Sequence, residues 1–318
     1  MNKKLITGIN GYIGSNLARA LLREGNQVIG IDLDSGNIDD LIHNPNFEFR
    51  RVDITDPHSF PDEVRQADVL IHCAALVHKR SSDLSRENYF RINHTGTKNV
   101  LDSLDRKALK QILFLSTVSV YGDLSGGKMP DENTPLAPED YYGESKVAAE
   151  KEIREFSESH KTPYTIFRLA PVYGDSFLLN IHKRVYLPGE LAFYKIASGE
   201  QRLSLCSVNN IADVIISSMS DPSFLDQTFN MQDLEDYSIN DIILFFKGLH
   251  AQQSKPVVRI PCAFPLFVFR LLSLLLPKKA EYYAYQLKKV SENAEYSVDK
   301  LRTTRVRMKW NLYNTFLR

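Results

Sequence analysis

The chain has 318 residues, of which 43% are hydrophobic, so it can bury a sizeable core as one large domain or as two modest ones. Its 39 basic and 39 acidic side chains cancel, which gives no overall electrostatic case for nucleic acid as a partner. Cys73, Cys206 and Cys262 are widely spaced in apolar runs, which disfavours a disulfide framework and a zinc site. No apolar leader precedes the first strand, and we expect a reduced, cytoplasmic setting without a bound metal.

A glycine-rich turn follows the first apolar strand. Gly8, Gly11 and Gly14 are spaced by three, and Leu17 and Leu21 then continue the pattern of an amphipathic helix. Gly8 permits a tight turn, Gly11 lets the backbone approach a pyrophosphate, and Gly14 lets helix and strand pack closely. A diphosphate is expected on the free N–H groups that begin the helix. The spacing therefore predicts a nucleotide-binding turn.

The second strand, at 26–33, ends in an acid. Asp32 lies 18 residues after Gly14, about where a carboxylate can accept the two ribose hydroxyls of an adenosine. Its charge would repel a 2′-phosphate, which favours NAD over NADP. The alternative is a solvated acid at a strand end. Together with the glycine turn, Asp32 predicts NAD as the cofactor.

Two further strands are predicted at 47–54 and 67–75, and the second closes in Ala74 and Ala75. Strands that alternate with helical segments predict parallel crossovers. The two alanines would admit the nicotinamide half of a dinucleotide. His72 and His78 have no neighbouring cluster of carboxylates or thiols, so structural histidines are favoured over metal ligands.

A long helical pattern over 83–104 contains Asn93, and an apolar strand over 111–122 ends in hydroxyls that include Thr117. Hydroxyls at the carboxyl end of a central parallel strand face the ligand crevice. The sequence therefore places Thr117 beside the predicted cofactor.

After a loop at 122–140, Tyr142 and Lys146 open a helix and lie four residues apart on one face. An ammonium near a phenol stabilises the phenolate and lowers the tyrosine pKa toward neutrality, as a proton shuttle requires. The alternative is a packed tyrosine and a solvated lysine. Because a dinucleotide-binding half precedes the pair, we favour the proton shuttle.

These residues resemble the extended short-chain dehydrogenase/reductase family, in particular its NAD-dependent sugar-nucleotide epimerases and dehydratases. The resemblance covers residues 1 to about 215 well and is carried by Gly8-x-x-Gly11-x-x-Gly14, Asp32, Asp53, 72–75, Asn93 with Gly96-Thr97, Ser116-Thr117, Val120-Tyr121-Gly122, Tyr142-x-x-x-Lys146 and Val172-Tyr173-Gly174. We expect an α/β fold, with a doubly wound parallel Rossmann sheet in residues 1–174. Residues 203–220 are expected to return to that Rossmann domain, and 175–318 to form a smaller substrate domain.

The resemblance implies a role for each site residue. Tyr142 would be the catalytic acid/base, Lys146 would bind the nicotinamide ribose, and Thr117 would bind the reacting sugar oxygen. Asp53 would approach the adenine amine. The further residues expected to contact the cofactor are Tyr12, Ile13, Ile54, Ala74, Ala75 and Asn93. Tyr142 would take the proton of a sugar hydroxyl, usually at C4, while a hydride passes to NAD.

The step after the keto intermediate separates the activities. Dehydratases of the family carry Asp-Glu directly after the catalytic threonine, whereas this chain has Val118-Ser119, which leaves elimination without an obvious proton donor. The leading expectation is a C4 epimerase of a nucleotide-linked, or lipid-diphosphate-linked, hexose or N-acetylhexosamine. One alternative is an NAD(P)H-dependent 4-keto-sugar-nucleotide reductase. Another is a non-catalytic NAD sensor, against which the intact Thr117, Tyr142 and Lys146 argue.

Substrate contacts are expected beyond Gly174. Related enzymes hold the diphosphate with an arginine in the strand at 199–208, but its register falls on Leu203 and leaves Arg202 on the opposite face. Arg202 is nevertheless kept as a substrate candidate. The segment 177–185 is interpreted as a loop that forms either an anion-binding rim or a solvated basic surface, through Asn180, His182, Lys183 and Arg184.

An apolar stretch at 264–279 is too short to span a membrane and is interrupted by Arg270. It is interpreted as a buried helix, with an interfacial helix anchored by Lys278 and Lys279 as the alternative. The family resemblance also implies a homodimer, formed through the helices at 83–104 and 141–160.

Overall fold

The structure, a computed structural model, describes residues 3–77, 85–122, 129–249, 254–261 and 293–316. Its strands are β1 Lys3–Thr7, β2 Gln27–Asp32, β3 Phe47–Arg51, β4 Val69–His72, β5 Gln111–Thr117, β6 Tyr164–Leu169, β7 Val172–Tyr173, β8 Phe193–Ile196, β9 Arg202–Ser204, β10 Cys206–Ser207, β11 Gln227–Met231, β12 Asp236–Ser238 and β13 Val257–Ile260. Its α-helices are α1 Tyr12–Arg23, α2 Asp62–Arg65, α3 Arg86–Tyr89, α4 Gly96–Ser103, α5 Tyr141–His160, α6 Leu179–Val185, α7 Val208–Ser218, α8 Ile239–Gly248 and α9 Asp299–Arg302.

A seven-stranded sheet with the order β11-β6-β5-β4-β1-β2-β3 forms the centre of the molecule. All of its strand pairs are parallel, which confirms the predicted doubly wound α/β sheet. The chain runs outward from β1 to β2 and β3, and then returns to the other side of β1 with β4. Ligands of such sheets bind at this reversal, outside the carboxyl ends of the strands. The fold therefore places the crevice after β1 and β4.

Helices cover both faces of the sheet. On one face α1 and α7 pack through buried side chains that include Leu17, Leu21 and Ile211. On the other, α4 and α5 pack through a second cluster that includes Leu101 and Ile153. Each aliphatic side chain that is fully buried in this way stabilises the fold by about 1.5–3 kcal/mol before entropic costs. Because both faces are covered, β5 is buried along its whole length.

The helix predicted over 83–104 is irregular where the structure describes it. After α3, residues Phe90–Thr95 form a π-helical turn that leads directly into α4. The wide turn buries Asn93, and Gly96 follows where an added Cβ would lie 2.8 Å from Ile54 Cδ1. Such π segments often occur at functional sites. Sequence periodicity did not reveal this local change in winding.

A separate cluster on the substrate side contains Ile181, Val185 and Phe246. It explains why the prediction of a loop at 177–185 was wrong: Ile181 and Val185 lie one helical turn apart and are both fully buried, which folds the segment as α6. The single strand predicted at 199–208 is also divided, into β9 and β10. The main sheet includes β11, which follows the segment 203–220.

Several predictions concern residues outside the described ranges: those on His78, Cys262 and 264–279. The interfacial helix and the homodimer stay predictions. In the described parts of the chain, no helix is long and apolar enough to cross a membrane.

Candidate active site

The glycine turn lies at the centre of the crevice. Gly8 has a φ of +68°, and a Cβ added there would lie 2.7 Å from the backbone of Ala74. A Cβ on Gly14 would come far inside 3.0 Å of the Gly8 carbonyl oxygen. Gly11 is the N-cap of α1 and offers no side-chain cap, so the first N–H groups of the helix remain available to a ligand. The backbone therefore fits a diphosphate, and a Cβ at Gly8 or Gly14 would force this tight turn to open.

Tyr12 and Ile13 continue from the turn into α1. The Tyr12 ring stacks on Phe177, with centroids 4.9 Å apart, and Ser176 lies close enough to its hydroxyl to lower its pKa against the larger effect of burial. Ile13 packs against the core beneath the sheet. Tyr12 thus joins the glycine turn to the segment that enters α6. Through this contact, a conformational change in the segment that enters α6 would also act on the glycine turn.

Asp32 lies directly beside the glycine turn. Its Oδ2 accepts the Asn10 N–H at 2.9 Å, and its Oδ1 accepts the Leu33 N–H at 2.7 Å. Burial has the largest effect on the Asp32 carboxyl and raises its pKa. The backbone N–H donors act in the opposite direction and lower it. The structure thus brings the acid at the end of β2 next to the turn, where a ribose of a bound dinucleotide would lie.

Asp53 and Ile54 follow β3, the neighbour of β2 at the sheet edge. Asp53 is exposed, and its Oδ1 accepts hydrogen bonds from the backbone and hydroxyl of Thr55 at 2.9 and 2.8 Å. Ile54 is 9% exposed, and its carbonyl accepts from Asn99 Nδ2 at 2.9 Å. These contacts fix the segment on the same side of the crevice as Asp32.

A buried hydrogen-bond chain orients the end of β4. The hydroxyl of Thr97 donates to the Asn93 carbonyl, so it accepts from His72 Nε2 at 2.9 Å. His72 Nδ1 is then an acceptor for the Thr7 hydroxyl at 2.5 Å, which in turn accepts the Ala74 N–H at 3.1 Å. Burial lowers the pKa of His72 to about 3, so the ring is neutral. His72 is structural, as expected, and it holds Ala74 against the glycine turn, with Ala75 next in the chain.

Asn93 connects this region to the helix that carries Tyr142. Its Oδ1 accepts from Leu76 N at 2.6 Å, and its Nδ2 donates to Leu76 O at 3.0 Å and to Ser145 Oγ at 2.9 Å. The Ser145 hydroxyl donates to the Tyr142 carbonyl at 2.7 Å. Since both Nδ2 hydrogens are used, Asn93 positions α5, and a direct contact with the cofactor stays a prediction.

Thr117 and Tyr142 meet where β5 ends. The Thr117 hydroxyl lies beside the Tyr142 phenol, and Thr117 Oγ1 accepts from Ser119 N at 3.2 Å. Burial raises the pKa of Tyr142, and the Thr117 hydroxyl only partly opposes that effect. The expectation of a lowered tyrosine pKa was therefore wrong for this geometry, because burial is the larger effect and Lys146 is not among the groups that shift it.

Lys146 is 2% exposed, and its Nζ lies 4.0 Å from the centroid of the Phe114 ring. Burial lowers its pKa to about 7, and the carboxylate of Glu150 is the main group that opposes this change. A buried ammonium next to an aromatic face is partly stabilised by the ring. Lys146 is thus poised between charged and neutral forms within one helical turn of Tyr142.

A buried ion pair that sequence reasoning missed supports these residues. Arg168 donates to the two carboxylate oxygens of Glu150 at 3.0 and 2.8 Å, and Ser116 Oγ donates to Glu150 at 2.6 Å. Arg168 holds the pKa of Glu150 below its usual value despite burial. The sequence signal was an acid one turn after Lys146 and an arginine inside the apolar strand β6. Because Ser116 is engaged here, Thr117 is the hydroxyl left facing the crevice.

The substrate candidates lie farther along the chain. Asn180 falls in the first turn of α6. Arg202 donates to Glu295 Oε1 at 3.0 Å and to the Asp236 carbonyl at 2.9 Å, while Leu203 is 2% exposed. The strand therefore directs Leu203 into the core and Arg202 outward. Among the residues with described positions, no group of three or more His, Cys, Asp or Glu could hold a metal ion.

Known proteins with similar sequences include sugar 4-epimerases and, over 54% of this chain, dTDP-glucose 4,6-dehydratases. UDP-glucose 4-epimerase of Vibrio cholerae is 28% identical over 289 residues, which cover 86% of this chain and 82% of that protein. N-acetyl-alpha-D-glucosaminyl-diphospho-ditrans,octacis-undecaprenol 4-epimerase of Escherichia coli O157:H7 is 24% identical over 309 residues, which cover 94% and 88%. The similarity thus extends through the C-terminal third of the chain.

Solved structures share the fold. UDP-glucuronic acid 4-epimerase from Bacillus cereus in complex with NAD has a TM-score of 0.75 at 22% identity, with coverage of 99% of this chain and 96% of that chain. The NAD complex of UDP-glucose 4-epimerase from Thermus thermophilus has a TM-score of 0.74 at 20% identity, with coverage of 99% and 97%. At these identities the match shows the fold.

The model of the NAD dependent epimerase/dehydratase family matches residues 4–231, which contain the glycine turn, Thr117, Tyr142 and Lys146. That range is well over half of the chain. The chain therefore belongs to the NAD-dependent epimerase/dehydratase family and is an enzyme of the extended short-chain dehydrogenase/reductase type, with NAD as its cofactor.

Proposed function

We propose that the enzyme is a 4-epimerase of a hexose or N-acetylhexosamine carried on a diphosphate. The proximity of the Thr117 hydroxyl to the Tyr142 phenol, at the carboxyl end of β5, carries this proposal. The names of the Vibrio cholerae and Escherichia coli relatives support the reaction, and differ in the carrier, which is a nucleotide in one and a lipid diphosphate in the other. The diphosphate is common to both.

In the proposed mechanism Tyr142 acts as the base and then as the acid. Its phenolate would take the proton of the C4 hydroxyl, while Thr117 holds that oxygen by a hydrogen bond. Because burial raises the pKa of Tyr142, this step requires positive charge beside the phenol to stabilise the phenolate. NAD held at the glycine turn and Asp32 would supply the acceptor for the C4 hydride and, after the sugar has turned over, the donor that reduces the opposite face of the 4-keto sugar. Tyr142 then gives the proton back to the oxygen. Lys146 supplies nearby positive charge and, by the family resemblance, binds the nicotinamide ribose.

The residues after Thr117 argue against a dehydratase. Val118 is 5% exposed and apolar, and Ser119 ionises far above neutral pH, so neither supplies the acid and base that removal of water requires. Epimerisation needs no further proton donor. The same residues would also serve a 4-keto-sugar reductase, which differs in consuming reduced cofactor.

The test is to incubate the purified enzyme with UDP-, GDP-, CDP- and dTDP-sugars and with a polyprenyl-diphosphate N-acetylhexosamine, each with and without NADH, and to resolve the products by NMR. We expect interconversion of two C4 epimers with no net redox change. Consumption of NADH in proportion to product would instead identify a 4-keto reductase. Bound NAD without turnover of any compound would contradict the proposal and favour a sensor.

Asp32 is proposed to set the preference for NAD over NADP. Replacing Asp32 with Asn removes the negative charge while keeping an acceptor for the Asn10 N–H. We expect the ratio of NADP to NAD affinity to rise about tenfold or more, because repulsion of the 2′-phosphate is lost. Fluorescence titration with both cofactors measures the ratio. Asp39→Asn, which changes an exposed acid nearby, is the matched control, and an equal ratio in both variants would argue against this role.

A further inference from the structure

The three basic residues of α6 have different surroundings. The His182 ring packs on Tyr186, with centroids 4.1 Å apart, and its Nε2 lies 3.6 Å from the carboxylate of Glu190. Lys183 is exposed to solvent. Arg184 is partly buried, and the phenols of Tyr296 and Tyr194 lie close enough to influence its pKa. Among these three residues, Arg184 is the one whose charged group is withdrawn from solvent.

Arg184 lacks a counter-charge in the described parts of the chain. Burial lowers its pKa, and the groups that oppose this effect are the phenols of Tyr296 and Tyr194. No described carboxylate forms an ion pair with it, whereas Arg168 and Arg202 each have one. A guanidinium withdrawn from water without an anion is costly, and a bound anion would remove that cost.

Aromatic contacts connect the surroundings of Arg184 to the candidate active site. The Tyr296 ring stacks on Tyr121, with centroids 6.0 Å apart, and Tyr121 ends the short 3₁₀ turn that follows Thr117. At its other end, α6 begins just after Phe177, whose ring lies on Tyr12 of the glycine turn. The helix that carries Arg184 therefore begins next to the segment that contacts the cofactor-binding turn, and Arg184 is influenced by Tyr296, which packs on the turn that follows Thr117.

The strand expected to supply a phosphate-binding arginine does not do so. Leu203 occupies the expected register and is buried, and Arg202 is bonded to Glu295. We infer that Arg184 binds the diphosphate of the substrate, through the paired N–H donors that guanidinium presents to phosphate oxygens. The inference rests on the proposed function, since it assumes a diphosphate-linked sugar. Nucleotide and lipid carriers both present this group.

The test compares Arg184→Gln with Lys183→Gln, which removes a neighbouring exposed charge. We expect KM for the substrate to rise about 30- to 100-fold in Arg184→Gln, with kcat within about threefold of wild type, and Arg184→Lys to recover part of the loss. Calorimetric titration with UDP and with inorganic pyrophosphate should show the same loss of affinity. Lys183→Gln should resemble wild type in each measurement. NAD content and Tm serve as controls for folding.

The binding titration separates this inference from the proposed function. If Arg184→Gln binds UDP and pyrophosphate as tightly as wild type, the inference is overturned even where epimerisation proceeds. If wild type binds both compounds through Arg184 but converts no sugar, the anion site stands and the proposed reaction fails. Parallel KM measurements with a nucleoside-diphosphate sugar and a polyprenyl-diphosphate sugar distinguish the carriers. A rise in KM with either carrier supports the assignment, and no rise with both overturns it.

Discussion

Replacing Tyr142 with phenylalanine is expected to lower kcat by about 10²- to 10⁴-fold, the usual contribution of a positioned acid–base group. The change removes one oxygen and keeps the ring, which lies near Tyr89 with centroids 6.2 Å apart. The group that would move the C4 proton is lost, while Thr117 stays in place. NAD content should remain that of wild type, because the glycine turn and Asp32 are untouched. Initial rates and the NAD released on denaturation measure both quantities.

The adjacent Tyr141→Phe variant is the matched control, since Tyr141 is 48% exposed and precedes Tyr142 in the same helical turn. It should retain wild-type kcat. If Tyr142→Phe loses less than about threefold while Tyr141→Phe is unchanged, Tyr142 is not the proton shuttle.

Changing Gly14 to alanine is expected to abolish tight NAD binding. The new Cβ would press on the Gly8 carbonyl oxygen, which is backbone and cannot rotate away. The turn must therefore open, and its N–H groups lose the arrangement that holds a diphosphate. We expect the NAD that co-purifies with the protein to fall by at least about tenfold, corresponding to about 1.4 kcal/mol or more of binding free energy.

Gly36→Ala is the control for this change, because a Cβ at Gly36 meets nothing within 4 Å and its φ is not positive. Thermal unfolding with and without added NAD separates lost binding from lost folding. Wild type and Gly36→Ala should gain Tm with NAD, as any ligand of the native state requires. A similar gain in Gly14→Ala would show that the close contact at this glycine is not needed for NAD.

The sequence predicted the fold and much of the site because both depend on short-range patterns. The spacing of Gly8 and Gly14, the acid that ends β2, and Tyr142 four residues before Lys146 are visible without knowledge of packing. Alternating strands and helices also specified a parallel sheet. For such features, the residue types and their spacing are enough to determine where the side chains lie in the fold.

Features that depend on distant neighbours could not be predicted in this way. The pKa of Tyr142 moves upward because burial exceeds the influence of its partners, and burial is a property of the folded chain. Glu150 and Arg168 lie on different elements and become a pair only when α5 packs on the sheet. The segment 177–185 has polar residues typical of a loop, yet two buried side chains one turn apart fold it as a helix.

The buried pair of Glu150 and Arg168 has a consequence for stereochemistry. It ties α5 to β6, while Ser116 ties the same carboxylate to β5, so Tyr142 and Thr117 belong to one stiff unit. Inverting a carbon requires hydride to leave from one face and return to the other. Because the base and the hydroxyl are fixed relative to each other, the sugar must turn over in front of them. In an epimerase with this arrangement, Tyr142 and Thr117 stay in place, and the sugar rotates about its bond to the diphosphate.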